Sequence, residues 1–280
     1  MQGLSLTVMV IAISFLVELF ATGSKNASLF DMFRGPRNST LTDIACFLCY
    51  GIGFFDATVF IGSFGLSAVV LHGVHLIFGH FFRTDVHLNF GNPGLNLAIY
   101  YVFTNFLSYW NHRIFHFGLF WNFHRIHYSA TKMNPLVEHR NHPMQHALDG
   151  GLFALPLAVI SVRPEYVALL AVANQFHQLI IHSNINSNWG LVGRWIFVSP
   201  LAHRIHHSVK PEHFNQNFSD GLIIWDRMFG TYCADFSNVG LIGVVGVEYN
   251  RYGVLYDMLA DYGRAASDIG KTISRSLKMI

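Results

Sequence analysis

The stretch LNLAIYYVFTNFLSYWNHRIFHFGLFWNFHRIHYSA (95–130) begins as an apolar run and ends in a row of histidines. Leu95–Trp110 reads as a membrane helix, yet it is short for a bilayer, which takes about 20 apolar residues unless the helix continues past the interface. Continuation into the histidine-bearing part supplies the missing length. His112 and His116 are four apart, so on a helix they point the same way, one turn apart. His124 and His127 are three apart and again share a face. The phrase HRIHYSA (124–130) returns as HRIHHSV (203–209), 79 residues further on and without matching flanks. A folding repeat is not indicated. The two phrases look like halves of one site.

In the second phrase His203, His206 and His207 lie on one helical stripe, and His182 stands at the end of the apolar run 166–181. Eight histidines therefore gather at one expected depth and on one side. Imidazole is the commonest nitrogen ligand for zinc, iron and copper. Eight ligands exceed the four of a single tetrahedral zinc site, so two metals are expected. HExxH is absent, which removes the zinc-protease arrangement with its Glu base. No carboxylate stands at the Glu-x-x-His spacing of soluble di-iron bundles. An all-nitrogen pair at a membrane face suits iron acting on O2 and a lipid chain.

Composition agrees with a membrane setting. The 280 residues are 52% hydrophobic and only 12% charged, against roughly 25% charged in soluble domains. A net charge of +2 on dispersed Lys and Arg gives no footing for nucleic acid. Three cysteines provide no disulfide framework, and Cys46 and Cys49, although a CxxC, sit in an apolar run that reads as helix packing. Leu4–Phe20 reads as a retained membrane helix, since no basic residue precedes it. Two more apolar spans are expected within Thr42–Phe82. Leu152–Val162 and Tyr166–Ile181 are expected to form a helical hairpin with Pro164 near its tip. Segments 111–148 and 183–280 hold 13 of the 18 Lys and Arg, which places them, with most histidines, on the cytoplasmic face. The basic loop 23–40 counts against that orientation. All five tryptophans fall in or beside the same half, as in an aromatic belt. The closing segment 241–280 reads as a weakly amphipathic, basic tail.

At this point the residues resemble the fatty acid hydroxylase/sterol desaturase superfamily of membrane di-iron, histidine-box enzymes. The resemblance covers about 100–232. It rests on HxxxH at His112/His116, HxxH at His124/His127, RNHP at 140–143, HSNI at 182–185, HxxHH at 203–207 and the closing block NFSDGLIIWDRMFGTY (217–232). It implies an all-α, polytopic membrane protein of about four transmembrane helices with a helical cytosolic cap holding the metals. It also implies O2-dependent hydroxylation or desaturation of a sterol, fatty acyl chain or ether lipid. The expected ligands are His112, His116, His124, His127, His182, His203, His206 and His207, holding two iron ions, with zinc possible as isolated. The expected organisation is N-terminal transmembrane helices (1–94), a catalytic region (95–240) and a C-terminal tail (241–280), in the endoplasmic reticulum or a bacterial inner membrane. No cytochrome b5-like HPGG segment occurs, so a separate protein is expected to supply electrons.

One departure stands out. The usual second box is HxxHH, and Tyr128 occupies its last position here. Three outcomes are open: a ligand is lost, a phenol replaces it, or His139, His142 or His177 fills in. Because a phenol with a pKa of about 10 is a poor ligand at neutral pH, Tyr128 is expected beside the metal shell or against the substrate, with another histidine completing the shell. Asp226 is expected to orient a ligand histidine, since metal-bound imidazoles usually donate their other N–H to an acceptor. Arg125 and Arg204 are expected at a lipid head group or on a solvated face. His72, His75 and His80 are expected in helix packing, pore lining or an interface. The competing classes are a metal-binding transporter or sensor and a degenerate relative without activity.

Overall fold

A computed structural model of the chain describes residues 2–34, 37–54, 72–73, 76 and 88–277. Among them the regular structure is helical, joined by three isolated β-bridges. The helices are α1 (Gln2–Thr22), α2 (Ser28–Arg34), α3 (Arg37–Gly51), α4 (Pro93–Phe115), α5 (Trp121–Tyr128), α6 (Pro143–Val159), α7 (Pro164–Ile181), α8 (Gly190–Trp195), α9 (Pro200–His206), α10 (Ile224–Met228) and α11 (Val254–Leu277). The two spans expected in 42–82 lie mostly outside the described residues, as do His75 and His80. His72 is exposed.

Local chemistry sets the ends of the helices that matter. Asn92 caps α4, accepting from the N–H groups of Gly94 (2.8 Å) and Leu95 (3.1 Å), with Pro93 in the first turn, where a missing N–H costs nothing. The helix then runs unbroken to Phe115, so the apolar run does continue into the histidines. Pro164 opens α7 just after α6 ends, but the two helices do not pair as the expected hairpin: α6 packs along α4 and α7 along α1. Ser199 caps α9 with Pro200 behind it, and this fixes where the turn bearing His203, His206 and His207 begins.

Ser5–Thr22 of α1 is the only helix among the described residues long and apolar enough to cross a membrane. A count of about four spans goes beyond that. On α1, Val10, Ile11, Ser14 and Glu18 form the buried face, with Val10 and Ile11 packing beside Leu136 and Leu179. Its opposite face bears exposed Val8, Met9, Ile13, Leu16 and Phe20. A helix apolar on its outer face as well is suited to lipid. Glu18 is held inside by the N–H (2.9 Å) and Oγ (2.6 Å) of Ser28 and the N–H of Asn184 (3.1 Å).

The closing segment differs from the weakly amphipathic tail expected for 241–280: α11 is strongly two-faced and packs along α5. Met258 meets Cys46 and Ile126, and Ala265 meets Phe115 and Phe123. Cys46 is accordingly buried packing, as its apolar surroundings in the chain suggest. Arg125 and Arg204 depart from expectation. Arg125 is buried, 3.8 Å from Asp261 of α11. Arg204 donates to the carbonyls of Ser183 (3.2 Å) and Ile185 (3.1 Å). Neither stands on a solvated face, because α11 and the 182–185 turn cover them.

Candidate dinuclear metal centre

The fold brings all eight expected histidines together and sorts them into two tetrads. His112, His116, His124 and His206 form one; His127, His182, His203 and His207 form the other, and within each the donor atoms lie within 4.8 Å of one another. The repeated phrase now has an explanation. His124 serves the first tetrad and His127 the second, whereas His203 serves the second and His206 the first. Each short helix, α5 and α9, spans both tetrads, in opposite order. The tetrads abut: the rings of His124 and His127 stack at 5.4 Å and those of His203 and His206 at 5.6 Å.

The first tetrad presents donor atoms that fit a cation. His112 Nδ1 lies 2.7 Å from the carbonyl of Phe218, and His206 Nδ1 lies 2.7 Å from that of Gln216. A carbonyl only accepts, so both Nδ1 atoms bear the proton, and in a neutral ring Nε2 is then a bare lone pair. These two lone pairs face each other at 2.9 Å. Protonation does not relieve the clash, because burial holds His206 well below the ordinary imidazole range, as it does His124, His127, His203 and His207. A metal ion does relieve it. With metal–nitrogen bonds of about 2.1 Å, donors at right angles stand ~3.0 Å apart and tetrahedral ones ~3.4 Å. The observed Nε2 spacings are 3.0 Å for His112–His124, 3.1 Å for His127–His182, 2.8 Å for His182–His203 and 3.0 Å for His203–His207. The donor set therefore fits two metal ions.

The outer nitrogens differ between the tetrads. In the first, His124 Nδ1 also has a partner, Gln145 Oε1 at 2.8 Å. In the second, His182 Nδ1 faces the Gln178 carbonyl (2.8 Å) and Glu138 Oε2 (3.1 Å). The Nδ1 atoms of His127, His203 and His207 have no hydrogen-bond partner among the described residues. Outer partners fix the tautomer and ring plane of a ligand and are worth about 10–100-fold in metal affinity. The metal of the second tetrad should therefore leave first. Timed chelation followed by elemental analysis should resolve two phases at least about tenfold apart, with the faster phase absent in His207→Ala. A single phase would contradict this.

Three expected additional residues are placed elsewhere. His142 caps α6, its Nδ1 accepting from the Met144 N–H (3.1 Å) and its Nε2 donating to the Met258 carbonyl (3.1 Å). His177 donates from Nε2 to the Val198 carbonyl at 2.9 Å. His139 packs edge-on against Phe47 and Tyr50. None reaches a tetrad. Asp226 touches no histidine; it accepts from the N–H groups of Phe218 (2.7 Å) and Ser219 (2.9 Å) and from Thr231 Oγ1 (2.7 Å). It thus acts one step removed, holding the loop whose Phe218 carbonyl orients His112. A Cβ at Gly221 in that loop would lie 1.9 Å from Asn105 Oδ1 of α4, which accepts the Leu222 N–H, so a larger residue there would displace that side chain.

Tyr128 alone of the extra residues enters the site. Its hydroxyl contacts His116 Nε2 (2.9 Å) and His206 Nε2, both of the first tetrad. Several orienting groups stand outside the expected set. The carbonyls of Phe218, Gln216 and Gln178 are backbone and carry no sequence signal. Glu138, in VEHRNHP, does carry one, as a carboxylate beside a histidine motif.

Two cavities border the tetrads. One of about 230 Å³ is lined by His116, Trp121, Tyr128, His206, Phe214 and Val245, among others. The second, of about 210 Å³, is polar and touches both tetrads through His112, His124, His127, His182 and His203, with Glu138, Asp149 and Asp220 on its wall. Burial pushes the Glu138 carboxyl up to about 8 and raises that of Asp220.

Comparison with known proteins agrees with this geometry. Residues 97–231 match the fatty acid hydroxylase family model, and the match contains all eight histidines. The chain is 32% identical to the alkylglycerol monooxygenase of Xenopus tropicalis over 136 residues, 48% of this chain and 30% of the relative. It is 29% identical to the ornithine lipid hydroxylase OlsE of Rhizobium tropici over 132 residues, 47% of this chain and 40% of the relative. It is also 29% identical to the Delta(7)-sterol 5(6)-desaturase ERG3A of Gibberella zeae over 151 residues, 50% of this chain and 40% of the relative. The chain thus spans well under half the length of these relatives. No solved structure matches it. Residues 97–231, just under half of the chain, thus carry a fatty acid hydroxylase domain.

Proposed function

We propose that this chain, through its fatty acid hydroxylase domain, is a membrane oxidoreductase that uses O2 to hydroxylate or desaturate a lipid at a di-iron centre held by the two histidine tetrads. The observation that carries the reading is the pair of bare lone pairs on His112 and His206, facing at 2.9 Å inside an all-histidine site. Bound iron would supply the reduction of O2 and the oxidation of an unactivated C–H bond, with zinc able to occupy the same imidazoles during isolation.

The chain's own residues do the rest. The Phe218 and Gln216 carbonyls keep His112 and His206 in the ligand tautomer. The cavity walled by Trp121, Phe214 and Val245 offers an apolar slot against His116 and His206, where an acyl or sterol carbon would be held away from water. Glu138 Oε2, 3.1 Å from His182 Nδ1, would hold the ring plane of that ligand in the second tetrad. The electrons would come from a separate donor protein. The apolar outer face of α1 supports residence in a membrane, and the excess of basic residues in 111–148 and 183–280 supports a cytoplasmic centre in a multi-pass chain of the endoplasmic reticulum or a bacterial inner membrane.

The test joins metal content to product. Protein purified under iron-replete conditions should hold about two transition-metal ions per chain, one for each tetrad. Lipids from cells with the active gene should contain a species differing by one added oxygen atom, or by two lost hydrogen atoms, from its counterpart in cells without it. One ion or fewer after reconstitution would count against the dinuclear centre. An unchanged lipid profile would count against the oxidase reading.

A further inference from the structure

We propose that Tyr128 is a fifth donor of the first tetrad, binding its metal through the phenolate oxygen; this rests on the reading of the tetrads as iron sites. The phenol oxygen is 2.9 Å from His116 Nε2 and in close contact with His206 Nε2. The first of these distances is the spacing by which the histidine nitrogens stand from one another. These two ligand atoms are its only hydrogen-bond contacts among the described residues. No carbonyl or carboxylate draws the hydroxyl aside, as would be needed for a purely supporting role.

The ring has no freedom to turn the oxygen away. It stacks on His207 at 4.5 Å and 25°, and Trp121 meets it edge-on at 5.1 Å. It is also set by helix geometry: Tyr128 is four residues after His124 on α5, so both project into the same tetrad. With Nδ1 of His206 committed to the Gln216 carbonyl, Nε2 of His206 is a lone pair. A phenol O–H pointing at it would occupy the pair that the metal needs. When a metal binds there, the O–H bond breaks, a metal–oxygen bond forms, and the proton is released to bulk solvent. No oxidant or reductant is required. Proton release on metal binding is the general behaviour of protonated ligands, and a cation inverts the penalty that burial sets on an anionic side chain. The histidine missing from the second box is thereby replaced by an oxygen donor.

Phenolate bound to ferric iron gives a charge-transfer absorption in the visible range and enhances phenolate ring vibrations in the Raman spectrum; imidazole ligands give neither. The whole protein, loaded with iron, oxidised and assayed for iron content, should show both signatures. Tyr128→Phe should lose both and bind one of its two irons at least tenfold more weakly in competition with a chelator. Tyr128→His should recover the affinity without the signatures, and because it restores an imidazole it keeps the test open if the phenylalanine variant folds poorly. Two irons in the native protein with no phenolate band would overturn the ligand role and leave the di-iron reading intact. A band that survives in Tyr128→Phe or Tyr128→His would also overturn it. Fewer than two irons in the native protein would overturn both.

Discussion

His206→Ala should yield a protein that inserts in membranes, retains a metal in the second tetrad, loses that of the first and oxidises no lipid. His207→Ala should yield the mirror result, with the first tetrad filled and the second empty. The reason is geometric. Each change deletes one of four imidazole donors in a fully walled cluster, and Ala offers no substitute atom within reach. Loss of a mere outer partner costs about 10–100-fold in affinity, and loss of a ligand must exceed that. His206→Ala also strands the Gln216 carbonyl and removes a contact of Tyr128. His177→Ala provides the control. Its ring lies outside both tetrads and makes a hydrogen bond to the Val198 carbonyl, so both metals should stay at a cost of about 1 kcal/mol in stability. Elemental analysis of the three proteins, beside their turnover, separates these outcomes. Full turnover in His206→Ala or His207→Ala would refute the assignment.

Arg140→Met should be the most destabilising change outside the metal centre. The guanidinium is completely buried. It donates to Asp43 Oδ1 (2.5 Å), Ser129 Oγ (2.8 Å), Asn250 Oδ1 (3.2 Å) and the carbonyl (2.6 Å) and Oγ (2.8 Å) of Ser39. One side chain therefore ties α3 to the end of α5 and to the loop before α11. Methionine fills much of the volume but leaves Asp43 buried as an uncompensated charge, a loss of about 3–5 kcal/mol. Against a typical total of about 5–15 kcal/mol, the loss should appear as a large fall in the denaturation midpoint in detergent. Replacing Asp43 by Leu as well should recover part of it, since the stranded charge is then gone. A midpoint within experimental error of the native protein would show that the hub carries no weight.

Residue types and their spacing determine most of the chemistry by themselves. Seven imidazoles at spacings of three and four, with His182 apart from them, in a chain with 12% charged residues, point to helices, a histidine metal site and an apolar setting, because helical periodicity is local and ligand chemistry belongs to the side chain. The run through α4 and the helix start at Pro164 are legible for the same reason, being set by nearby caps and prolines. Local rules do not reach further. Which histidine joins which tetrad depends on how α4, α5, α7 and α9 cross, so His124 and His127, one turn apart, end in different sites. Asp226 shows the same limit: its distance from every histidine follows from a loop that interposes the Phe218 carbonyl. Segment 241–280 reads as a weakly amphipathic tail, yet α11 closes over Arg125 and packs with Phe115 and Phe123. Tyr128 is the sharpest case. Its identity suggests a poor ligand, while its placement against His116 and His206 depends on packing among α4, α5 and α9, and such long-range packing is decided only in three dimensions.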